Sequence, residues 1–174
     1  MTKGKKILIA LAIPVALFLL IQVVPYGRDH DNPPITREPT WSSPQARELA
    51  KRACFDCHSN ETVWPWYSNI APVSWLVASD VEEGRSKLNF SEWDKPQRKW
   101  KDAGEEIEDG EMPMPIYIIL HKPADLSDAE KTGLTRGIEA LEAPPGGEDK
   151  KGSANGEDPK DKAAARQDDD DDDD

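Results

Sequence analysis

The chain has little sulfur and little imidazole: two cysteines, three histidines and three methionines in 174 residues, one methionine being the initiator. Structural zinc sites take four ligands and favour two Cys/His pairs at similar spacing. Both cysteines stand at Cys54 and Cys57, and the histidines away from them are His30 and His121, so no second pair exists. Basic charge is also short. Lys and Arg number 22 against 34 Asp and Glu, a formal net charge of −12, and that sign disfavours a nucleic-acid partner. Around the cysteines no apolar/polar alternation marks a strand, so the βαβ setting of a thioredoxin-like dithiol is missing. A disulfide between Cys54 and Cys57 would close a very small loop and stabilise little. No internal repeat is visible.

What is present begins with an uncharged apolar run from Ile7 to Val24, interrupted only by Pro14 and Gln22. As a helix these eighteen residues rise about 27 Å, close to the hydrocarbon thickness of a bilayer. A secretory h-region is shorter and ends at small residues, whereas this run ends Gln22-Val-Val-Pro-Tyr. Residues 1–25 therefore read as a cytoplasmic N-terminus and one uncleaved transmembrane helix, in which Pro14 is tolerated. Lys3, Lys5 and Lys6 put the N-terminus in the cytoplasm, and Tyr26 suits the interface. The expectation is a single-pass protein of the bacterial inner membrane with all later residues periplasmic.

Residues 26–40 are rich in proline and poor in apolar side chains, which predicts an extended tether with His30 as a solvated surface residue. All six tryptophans then fall between Trp41 and Trp100, and apolar periodicity continues to Ala143. Residues 41–143 read as one small domain, of a size at which a bound cofactor helps fill the core. Residues 144–174 carry no apolar content to bury and end in aspartates, which predicts a disordered, solvated acidic tail.

The cysteines lie in Cys54-Phe-Asp-Cys57-His58. Haem attachment accounts for each of its functional residues. Cysteines three apart on one helical turn can form thioethers to the two vinyl groups of a haem, and the following histidine becomes the proximal iron ligand. Local patterning agrees. Ser43 and Pro44 form a helix start, and Ala46, Leu49, Ala50 and Ala53 make an apolar stripe leading to the motif. Ser127-Asp-Ala-Glu130 is a capping box before a helix with Leu134, Ile138 and Leu141 on its apolar face. The expected fold is all-α and cytochrome c-like, built around one covalent haem c.

The stretch Cys54 to Trp93, and above all His58-Ser-Asn-Glu-Thr-Val-Trp-Pro-Trp-Tyr67, resembles the bacterial haem-binding-domain family of small monohaem c-type cytochromes. The resemblance covers about Ser43 to Glu142 and implies an all-α fold, one covalent haem, and electron transfer or haem sensing. A sixth ligand is sought in Asp109-Gly-Glu-Met-Pro-Met-Pro115, where the prolines stiffen the loop. Met112 is the choice; His121, Met114 and an open position are the alternatives. Pro72 or Pro65 is expected to set a carbonyl that orients His58. Trp64, Trp66, Tyr67 and Trp75 are candidate pocket walls or plain core, Arg85 a candidate propionate partner or a surface ion pair, and Asn60 and Thr62 candidate turn caps.

The resulting expectation is a non-enzymatic, membrane-anchored carrier of single electrons with a redox protein partner. A haem-based ligand sensor or weak peroxidase, and a haem-free thiol oxidoreductase, are the rivals. The sequence names neither partner nor oligomeric state.

Overall fold

The computed structural model describes residues 2–146, so the expected acidic tail lies, beyond its first three residues, outside the described part. Helix α1 spans Lys3–Ile21, contains Pro14 and buries none of its residues. Its mean hydropathy of 2.2 over an 18-residue window makes it long and apolar enough to cross a membrane. It is a candidate single-pass anchor.

The segment after α1 is extended, as its prolines require, and is bound along its length to the domain. The Gln22 amide donates to the Ala71 carbonyl at 2.8 Å and accepts from the Ala71 N–H at 3.0 Å. Gly27, at φ +75, lies so close to the Ser74 carbonyl that a Cβ would collide with it. Further along, Asn32 donates to the Thr62 carbonyl, Thr36 and Arg37 donate their N–H groups to Ser91, and Trp93 donates back to Arg37. An isolated parallel bridge joins Arg37 and Glu92. His30 is not simply solvated: its ring stacks on Trp64 and its Nε2 meets Ser68. A polar, proline-broken segment cannot make its own backbone pairs, so it takes them from the domain.

The domain is all-helical, with no strands among the described residues. Helix α2 (Pro44–Ala53) starts where the Ser43 hydroxyl accepts the Ala46 N–H, and α3 (Phe55–His58) is a single turn. After a 3₁₀ turn at Trp66–Asn69 come α4 (Val73–Lys87), α5 (Ala103–Glu108) and α6 (Pro115–Leu120). Helix α7 (Asp128–Glu139) opens with the Ser127/Glu130 capping box that the sequence announces.

Three glycines or small residues set the crossings. Gly137 of α7 meets Ala46 of α2 so closely that a Cβ would stand 2.5 Å from the alanine methyl. Gly104 of α5 packs on Thr135 of α7, and Gly84 of α4 packs on the backbone of Cys57. Leu49, Ala50 and Ala53 of the α2 stripe join Leu134, Ile138 and Leu141 in one core with Phe55, Phe90, Trp93 and Ile107. Phe90 lies between Phe55 and Trp93, with ring centroids 5.6 and 5.9 Å away. Each fully buried Leu or Phe there contributes about 1.5–3 kcal/mol, and together they fix the end of α2 and the start of α3.

Candidate functional site

Helix α2 stops at Cys54, whose backbone leaves the helical region at φ −124 and ψ −35. The Cys54 carbonyl then accepts the N–H groups of Cys57 at 3.1 Å and His58 at 2.8 Å, closing the turn of α3. That turn brings Cys54, Cys57 and His58 to one cleft of about 240 Å³, with Gly84, Met112, Met114 and Tyr117 among its other lining residues. An apolar recess of about 60 Å³ adjoins it between Leu88, Phe90, Ile107 and Ile138. Cys54, His58 and Met112 line both spaces.

The His58 ring is fixed by α4. Its Nδ1 lies 3.1 Å from the Gly84 carbonyl oxygen and 3.0 Å from that of Leu88. Both oxygens can only accept, so Nδ1 carries the proton and Nε2 keeps its lone pair. Burial lowers the pKa of this imidazole, outweighing the opposite pull of the two carbonyls, and the ring is neutral. The orienting carbonyls are therefore not those expected. Pro72 gives its carbonyl to Trp75 and Leu76, and Pro65 gives its own to Ser68. The carbonyl of Gly84 reaches the ring because the residue has no side chain: a Cβ there would lie 2.5 Å from the Cys57 oxygen.

Cys54 and Cys57 are unbridged. Burial pushes both thiols up to about 12, and the carboxylates of Asp56 and Asp80 add to the effect at Cys57. They are protonated at neutral pH, whereas a redox dithiol works through a lowered thiol pKa. No group of three or more His, Cys, Asp or Glu side chains among the described residues could hold a metal ion.

The three sixth-ligand candidates separate in space. Met112 donates its N–H to the Glu106 carbonyl at 2.9 Å, and its side chain packs against the core while lining cleft and recess. Met114 lines the outer cleft. His121 lines neither; its Nε2 is 2.6 Å from the Tyr67 hydroxyl and its ring stacks on Tyr117 at 4.1 Å. Tyr117, which the sequence reading passed over, donates its hydroxyl to Asp56 at 2.6 Å; burial first, and then the Asp56 carboxylate, push its own pKa far up.

The expected aromatic walls are elsewhere. Trp64, Trp66, Tyr67 and Trp75 line neither space, and Phe90 and Tyr117 do. Arg85 is likewise spent away from the cleft: it donates to the carbonyls of Ser59 and Asp31 and to the side chains of Asn32 and Thr62. Asn60 and Thr62 are buried; Thr62 donates to the Asp56 carbonyl, whereas Asn60 is bound across the fold to Pro34 and Ser91, and the Ser59 hydroxyl takes the local Glu61 N–H. Two protonated thiols one turn apart, a neutral imidazole with a free Nε2, and a thioether beside an apolar recess suit a haem.

A family model for a haem-binding domain matches residues 16–140. The chain belongs to the haem-binding domain family. Among curated proteins and among solved structures, nothing matches the chain. The matched span of this haem-binding domain begins inside α1 and ends at the C-cap of α7, so it takes in the strap along with the helices.

Proposed function

We propose that this haem-binding domain is a monohaem c-type cytochrome, anchored in the bacterial inner membrane by α1, that carries single electrons on the periplasmic side. The observation that carries the reading is the setting of His58: two backbone carbonyls within 3.1 Å of Nδ1 leave Nε2 as the electron-pair donor, in one cleft with Cys54 and Cys57. Cys54 and Cys57 would hold one haem through thioethers, and His58 and Met112 would supply the side-chain ligands to its iron. The bound haem supplies one-electron ferric/ferrous chemistry.

The chain's own residues do the rest. Gly84 and Leu88 hold the proton on Nδ1, which fixes the ring and raises its basicity as a ligand. Leu88, Phe90, Ile107 and Ile138 exclude water from the recess, and burial in an apolar setting is one of the levers that set a haem potential. Met112 is preferred to His121, which Tyr67 and Tyr117 engage, and to Met114, which lines the cleft but not the recess. With a thioether at the recess the protein is a carrier rather than an enzyme, and its partner is a redox protein. Lys3, Lys5 and Lys6 support the orientation.

The test is a mass measurement. Full-length protein from a host with periplasmic haem-ligation machinery should carry the mass of one haem after denaturation. A denatured chain of unmodified mass with two free thiols refutes covalent attachment.

A further inference from the structure

Charged residues make up 32% of the chain, yet none occurs from Val63 to Ser79 or from Met112 to Leu120. The fold brings these two uncharged stretches together. Tyr67, in the 3₁₀ turn, reaches His121 at the end of α6. Helix α6 turns Tyr117 inward and leaves Ile116, Ile119 and Leu120 64%, 64% and 68% exposed, at the i, i+3, i+4 spacing of one face. In the other stretch Trp66, next to Tyr67, is 76% exposed, and Ile70, Val73 and Leu76 are also open. An apolar face of this kind on a domain otherwise rich in charge marks an interaction surface.

Its position relative to α1 says what covers it. The candidate span ends at Ile21, and the next side chain, Gln22, grips both backbone groups of Ala71. Ala71 lies between Ile70 and Val73, in the middle of the first uncharged stretch. Arg28 braces the same Gln22 at 3.0 Å. The apolar face thus begins where a membrane helix would leave the bilayer, and lipid would be beside it in every molecule. Tryptophan and isoleucine suit that depth, and Lys122, directly after α6, suits the phosphate layer.

We propose that the face formed by the Trp66–Asn69 turn, the start of α4 and α6 rests on the lipid surface around α1, with Trp66, Ile116 and Ile119 in the interfacial layer. The proposal rests on the reading of α1 as a membrane span. It makes the domain monotopic as well as tethered, and holds the cleft, through Tyr117 of α6, at a fixed height over the bilayer.

The experiment uses the full haem-loaded chain in phosphatidylcholine/phosphatidylglycerol vesicles, with benzoylphenylalanine in place of Ile116, Ile119, Val15 or Glu105. All four positions are exposed in the protein, so folding is retained, and an unchanged visible spectrum checks it. On irradiation, Ile116 and Ile119 positions should each gain the mass of one phospholipid, as Val15 does, while Glu105 on α5 gains none. Adducts at Val15 without adducts at either isoleucine position overturn the proposal and leave the span intact. No adduct at Val15 overturns the span itself. Adducts from Ile116 or Ile119 to a second copy of the chain or to another protein, in place of lipid, also overturn the proposal.

Discussion

Gly84 serves the site in two ways, giving its carbonyl to His58 and leaving room for the Cys57 backbone. In Gly84→Ala the new Cβ would meet a carbonyl oxygen at 2.5 Å, and backbone cannot swing aside as a side chain can. Relief requires parting α3 from α4, at a cost of about 1–3 kcal/mol. Haem loading should fall and the melting temperature of what is loaded should drop; full loading with an unchanged melt would contradict this. If Met112 ligates the iron, the oxidised protein should show a weak long-wavelength thioether-to-iron band; Met112→Ala should abolish it, lower the potential and open the iron to carbon monoxide, whereas Met114→Ala and His121→Ala should keep it. A band lost only in Met114→Ala, or an iron freed only in His121→Ala, moves the ligand accordingly. Cys54, Cys57 and His58 were legible as one cluster because they stand within five residues of each other, and the fold turns all three to one cleft. Gly84 was not, because its reason is a contact across the fold that no local pattern carries. Trp64 and Trp66 misled for a related cause: an aromatic next to the motif can face either side of a turn.

At the scale of elements, the helices with strong local signals were the readable ones. Ser43 and the Ser127/Glu130 box stand where the sequence puts them, since caps depend on neighbours three residues away. The strap from Gln22 to Arg37 was half legible. Its prolines declare an extended backbone, but part of its docking is through Arg85, which reads in sequence as a propionate partner or a surface ion pair. Arg85→Ala would leave the Ser59 and Asp31 carbonyls without their donor and take one donor from Thr62 and from Asn32, whose Oδ1 would keep only the Trp64 indole N–H. The expected loss is roughly 1–3 kcal/mol. Hydrogen exchange should speed up across residues 28–37 while the haem spectrum stays unchanged. Arg85→Lys should not rescue it, because an ammonium lacks the planar fork. Unaltered exchange in that segment would show that the strap is held by its other contacts alone.

For the whole molecule the decisive element is α1. If it is an uncleaved span, mature protein begins near residue 1 and stays with membranes through alkaline extraction; a soluble form starting near Tyr26 would make it a long signal peptide. The apolar run was plain from hydropathy, but what happens beyond Ile21 was not, since the grip of Gln22 on Ala71 joins distant parts of the chain. That grip has a consequence for range. Fifteen free residues would let the domain swing through roughly 45 Å and visit distant partners on its leash. A strap sewn to the domain shortens the leash almost to nothing. If the domain carries electrons as proposed, exchange becomes two-dimensional traffic: a partner would drift in the plane of the same bilayer, or arrive from solution at a target that neither tumbles nor reaches out.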